Sequence, residues 1–183
     1  MLNEFLSIII KSIRLDKSLY SNNKNFGEAS IYFAVSIILI GSLISIIPNS
    51  SFLKYMSLNF NLGQVRGPSL KTVIISSFIM WVLKSIYLYF VGVVLFPNKK
   101  MNCNFRKIMI LVAFAQSPLL LNFIVFNQIF LFFIIVTYVW YNVSLIIGLN
   151  IILNYENYIK TTLISLAPQI IFILYILSLF QGN

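Results

Sequence analysis

Lys84, Gln116, Ser117, Asn142 and Gln169 stand inside long apolar runs of this chain, with Pro118 beside the serine. Polar groups in such a setting can hold an ion or a ligand, or can hydrogen-bond to one another between helices. They cannot do most covalent chemistry. The chain has no histidine, and Asp16 is its one aspartate. That removes Ser-His and Cys-His catalysis, histidine-ligated metals and an aspartyl dyad. Glu4, Asp16, Glu28 and Glu156 all lie outside the apolar runs, so the commonest intramembrane proton relay is missing. No Gly-rich lysine loop for nucleotide phosphates occurs. No catalysis, cofactor or metal site is expected.

The elements that must position these groups follow from composition. Of 183 residues, 60% are hydrophobic and only 9% charged, where a soluble domain carries about 25% charged residues. A soluble fold of this length cannot bury so much apolar surface, so lipid is the solvent. The expected fold is all-α: an integral membrane bundle of five transmembrane helices preceded by an N-terminal amphipathic interfacial helix. Residues 1–28 form a cytoplasmic amphipathic helix and loop, and 29–183 the membrane domain. The spans are roughly 29–47, 72–96, 108–126, 129–153 and 162–180. Pro48-Asn49-Ser50-Ser51 stops the first, and a polar loop follows it. Asn127-Gln128 makes a tight turn between the third and fourth.

In residues 2–19, Leu2, Phe5, Leu6, Ile9 and Ile13 recur at helical spacing, interrupted by Lys11, Arg14 and Lys17. That pattern reads as a helix in the membrane interface, or as a surface helix packed on the spans. The net charge is +9. Its cations lie between apolar runs, which points to anionic lipid headgroups and not to nucleic acid. Lys11, Arg14, Lys17, Lys99, Lys100, Arg106 and Lys107 are the candidate headgroup contacts. With Lys24 and Lys160 they fall on the N-terminal side, against Lys54, Arg66 and Lys71 on the other. The positive-inside rule then puts the N-terminus in the cytoplasm and the C-terminus opposite.

Depth counting places the polar residues together. At ~1.5 Å per residue, Lys84 is ~18 Å from the outer end of span two and Gln116 ~12 Å from the inner end of span three. In a core about 30 Å thick these coincide, and Asn142, Gln169 and Ser36 fall close by. Pro118 cannot donate to the carbonyl of Phe114, nor Pro168 to that of Ile164. Each freed carbonyl needs a donor, for which an ammonium is well suited. No carboxylate of this chain can meet Lys84 at depth. Lys84 is therefore a substrate, lipid or partner contact, or else it snorkels and packs. Gln116, Asn142 and Gln169 read as interhelical hydrogen-bonding groups. Small pairs, Gly41/Ser45, Ala113/Ser117 and Ser144/Gly148, suit close helix packing. Cys103 is the only cysteine, so no intrachain disulfide can form.

Asn104-Phe105-Arg106 after a basic connector, then a span carrying Ala113-Phe114-Ala115-Gln116-Ser117-Pro118, resembles the Yip domain, the Ypt/Rab-interacting membrane proteins and their bacterial relatives. The resemblance implies five spans, a cytoplasmic N-terminus and a role in membrane organisation and partner binding. Pro97-Asn98-Lys99-Lys100 replaces the Gly-rich turn of many relatives. The Asp-Leu-Tyr-Gly-Pro element and the long cytosolic region of eukaryotic members are absent. The match is to a short, prokaryote-type member of a bacterial inner membrane, and Rab binding does not carry over. The expected function is a non-catalytic scaffold or adaptor that binds membrane proteins, lipids or a second copy of itself. The alternative is a small permease or transporter subunit with a polar site at the midplane.

Overall fold

Backbone polar groups in apolar surroundings must be satisfied within their own segment, which favours helix. The computed structural model describes residues 2–27, 29–60, 69–98, 103–124, 130–155 and 157–181, and every regular element in them is helical. The elements are α1 (Leu2–Ile13), α2 (Ser18–Ser21), a 3-10 turn (Asn23–Phe26), α3 (Ala29–Phe60), α4 (Leu70–Tyr89), α5 (Phe105–Ala115), α6 (Phe130–Ile152) and α7 (Tyr158–Gln181). Among the described residues, three helical stretches are long and apolar enough to cross a membrane: Leu70–Leu95, Phe105–Phe123 and Phe132–Ile152. Ala29–Ser45 is a shorter apolar helix.

The helix start signals are local. Ser69 Oγ accepts from the Thr72 amide at 3.2 Å to open α4, and Asn104 Oδ1 accepts from that of Lys107 at 2.9 Å to open α5. Residue 108 and residues 110–115 are all buried, so α5 is enclosed on every side. It packs between α3, α4 and α6, and α7 lies against α6. At Ser117 the coil tightens into a 3-10 segment, Ser117–Ile124, where Pro118 withholds an amide from the Phe114 carbonyl.

Two helices depart from the sequence expectation. The reading that Pro48 stops the first span is corrected: α3 runs through it to Phe60. A proline deletes one hydrogen bond and bends a helix, and the Asn49–Phe60 stretch holds no glycine to end it. At 32 residues the helix is about 48 Å long, more than a bilayer core of about 30 Å. At its other end α4 widens into a π-helix, Phe90–Leu95. The Tyr155 hydroxyl lies 2.7 Å from the carbonyls of both Gly92 and Phe96 and can donate to either. The expected turn at Asn127-Gln128 lies outside the described residues.

The ends of α1 and α6 share one geometry. The Asp16 amide reaches back to the Lys11 carbonyl at 2.9 Å, with Leu15 left-handed at φ 54°. The Tyr155 amide reaches Asn150 at 3.1 Å, with Asn154 at φ 51°. These closures satisfy the last carbonyls of each helix and reverse the chain. The first turns α2 back against α6.

Candidate functional site

Two polar clusters and one basic end contain the candidate residues. The first cluster forms where α1 and α2 meet the break after α5. Ser12 Oγ donates to the Phe114 carbonyl at 2.6 Å and lies 3.3 Å from Ser144 Oγ. The Tyr20 hydroxyl lies 2.6 Å from Ser144 Oγ. All these groups are buried. Burial raises the Tyr20 phenol above its ordinary value, so it stays a neutral hydroxyl. The carbonyl freed by Pro118 therefore meets a serine from the N-terminal helix and not an ammonium. Gly148, one turn beyond Ser144, leaves room for the Tyr20 ring and for Leu111: a Cβ there would sit 3.0 Å from Tyr20 Cδ1 and 2.2 Å from Leu111 Cδ1.

The second cluster joins α4, α6 and α7. Lys84 Nζ stands 4.4 Å from the centroid of the Tyr141 ring, a cation–π contact. Gln169 Nε2 donates to Asn142 Oδ1 at 2.9 Å, and Asn142 Nδ2 donates to the Tyr138 carbonyl at 2.8 Å. One turn of α6 thus gathers Lys84, Asn142 and Gln169. The other layer residues stand apart from it. The Gln116 amide closes α5 on Ala113 at 3.0 Å. Pro118 is buried, and Ser117 Oγ is buried with no partner among the described residues. Ser36 bonds within its own helix, to Tyr32 at 2.8 Å. Asn122 Oδ1 accepts from Thr137 Oγ1 at 2.8 Å, tying the 3-10 segment to α6.

Compared with known protein families, curated proteins and solved structures, the chain matches none. At residue level the Yip resemblance rests on Asn104–Arg106 and Ala113–Pro118. In the fold these residues cap α5 and break it.

The basic end carries Lys11 on α1, Arg14 and Lys17 just after it, and Arg106 and Lys107 in the first turn of α5. Arg106 donates to the Gly27 carbonyl at 3.2 Å, which puts the starts of α5 and α3 side by side. The Ser18 amide, 2.8 Å from Asp16 Oδ1, holds that carboxyl below its usual range, and Lys11 and Arg14 add to the effect. Lys99 and Lys100 lie outside the described residues. A cleft of about 450 Å³ opens at this end between α1, the 3-10 turn and α3, with Lys11 and Lys24 among its lining residues.

Sequence reasoning missed Ser12 and Tyr20 as partners of the break, and Tyr141 as the partner of Lys84. Pro118 announces a free carbonyl without saying what reaches it. Tyr141 does directly precede Asn142, a polar residue the depth count had already singled out.

Proposed function

We propose that this chain is a non-catalytic membrane scaffold or adaptor of the short Yip type. In this reading five helices, α3 to α7, span the membrane, and the basic end faces the cytoplasm. Its partners are membrane proteins or lipids. The observation that carries the reading is the internal pairing of its polar groups. Gln169 donates to Asn142, Asn142 donates to the Tyr138 carbonyl, Lys84 meets an aromatic face, and Ser12 donates to the carbonyl that Pro118 frees. A bundle so paired spends its polar groups on holding helices together.

The surfaces left over are apolar helix faces and the cationic end. Helix α1 fits the interface between them. Phe5 and Ile8 turn inward, Phe5 lying 5.9 Å from the Phe33 ring. Leu2, Leu6 and Ile10 remain 69%, 46% and 48% exposed. These three share one stripe, the face that would lie among acyl chains while Lys11 and Arg14 reach phosphates.

A second reading, a small permease or transporter subunit, draws on the buried Ser117 and Ser165 hydroxyls, which have no partner among the described residues. Affinity purification from native membranes in mild detergent, with mass spectrometry of retained proteins and lipids, separates the two. A stoichiometric membrane-protein partner or lipid supports the scaffold. A lone oligomer that retains a small polar solute contradicts it.

A further inference from the structure

We propose that the cleft between α1, the Asn23–Phe26 turn and the start of α3 is a discrete site for an anionic phospholipid headgroup, held by Lys11 and Lys24. The inference rests on the membrane reading above and deepens it. It replaces diffuse attraction to a charged surface with one built site.

Lys11 comes from α1 and Lys24 from the Asn23–Phe26 turn, so two lysines from separate elements line one cleft. Asn3 and Ser7 line the same wall as Lys11, one helical turn apart, and Asn22 lies on the side of Lys24. The wall that carries Lys24 is fixed. Asn22 Oδ1 accepts from the Lys24 amide at 3.0 Å, and Asn25 Nδ2 donates to the Leu19 carbonyl at 2.8 Å. The Gly27 carbonyl that follows is held by Arg106 at 3.2 Å. The volume of about 450 Å³ falls in the range of small-molecule sites.

The chemistry of the lining selects the ligand. Two lysines suit a phosphate as paired point charges, against one lining carboxylate, Glu4. Amide and hydroxyl side chains suit a headgroup that carries hydroxyls, such as phosphoglycerol. A choline headgroup would bring a third cation beside the two ammoniums. Ile8, Leu19 and Phe33 also line the cleft. They give it the apolar side that a lipid needs and a free phosphate compound does not.

The test uses the full chain in mild detergent and native mass spectrometry of the lipid retained per chain, with phosphatidylglycerol and phosphatidylcholine offered together. The expected result is one phosphatidylglycerol per chain. Lys11→Gln and Lys24→Gln each lower its retention about fivefold, and Lys160→Gln leaves it unchanged. Lys160 is exposed and carries the same charge outside this cleft, so an equal loss in Lys160→Gln would mean diffuse attraction and overturn the site. Equal retention of phosphatidylcholine would overturn it too. Displacement by millimolar glycerol phosphate as readily as by lipid would assign the cleft to a free phosphate compound instead. Lys24 is exposed, and Lys24→Arg, which keeps the charge, retains lipid if the site is as described. Carbonate extraction of the same membranes is read separately. Release of the chain there would overturn the membrane reading itself, whereas loss of selectivity in a firmly embedded chain overturns only the headgroup site.

Discussion

Ser12 donates a 2.6 Å hydrogen bond to the carbonyl of Phe114, 102 residues away in the chain. The bond joins the N-terminal helix to the one carbonyl that Pro118 leaves without its helical donor. Through it, a break in the most enclosed helix becomes a docking point for α1. Tyr20 and Ser144 extend the junction to α6.

Removing the serine should therefore expose the cost of the proline. Ser12→Ala removes the short side-chain donor and leaves the Phe114 carbonyl only its contact with the Gln116 amide, a loss of about 1 kcal/mol. Pro118→Ala restores an amide that can reach that carbonyl. In the Pro118→Ala background the same Ser12→Ala change should cost clearly less. Thermal unfolding of the four proteins in one detergent gives the coupling. Simple additivity of the two changes would show that Ser12 does not act on that carbonyl.

Gly148 should tolerate no side chain. Its Cβ would meet Leu111 at 2.2 Å and Tyr20 at 3.0 Å, both buried. Gly148→Ala should destabilise by about 1–3 kcal/mol through overpacking. Limited proteolysis between α1 and α2 should then quicken as Tyr20 is pushed off α6. Gly92→Ala is the comparison. Its closest neighbour is a single methyl of Leu153 at 2.8 Å, with the next atoms at 3.9 Å, so its cost should be smaller. A reversed order in thermal stability would refute this packing account.

Much of this junction was out of reach of the sequence, for a physical reason. Asn104 before an apolar run marks the start of α5, and Ser117-Pro118 marks its break, because caps and prolines act on their own neighbours. Depth counting put Asn142 and Gln169 at one level, and their amides are 2.9 Å apart. Amphipathic spacing in residues 2–19 gives a helix with an apolar face. It does not say what that face covers. Ser12, on the inward face of α1, looks like any small residue until the partner surface is known. The passage of α3 through Pro48 was equally hidden, since one lost hydrogen bond ends or bends a helix according to its tertiary support.

Lys84 offers a test of scaffold against transport site. If its role is to pack over Tyr141, Lys84→Leu should insert and express as well as the native chain. Tyr141→Phe keeps the ring and should be nearly neutral. Tyr141→Leu should cost about 0.5–2 kcal/mol. Normal insertion of Lys84→Leu together with loss of a retained small solute would instead mark the lysine as part of a ligand site.

Cys103 should be a slow thiol. Burial pushes it up to about 11, with Lys107 opposing. At pH 8 its thiolate fraction is then about 1 in 1000, against about 1 in 4 for an ordinary cysteine. The greater nucleophilicity of a high-pKa thiolate returns about tenfold. Alkylation in detergent should therefore run about 20-fold slower than for a free thiol. It should rise about tenfold per pH unit until the pH nears 11, then level off. A plateau near pH 9 would show that Cys103 is not held in an apolar setting.

The proposed function requires five membrane crossings with the basic end in the cytoplasm. Cysteine accessibility in intact cells tests this most directly. In a Cys103→Ser background, single cysteines at Lys24 and at Asn183 are challenged with a membrane-impermeant maleimide before and after permeabilisation. The account predicts that the cysteine at 183 labels in intact cells, while that at 24 labels only after permeabilisation. Labelling of both from the same side would require an even number of crossings and contradict it.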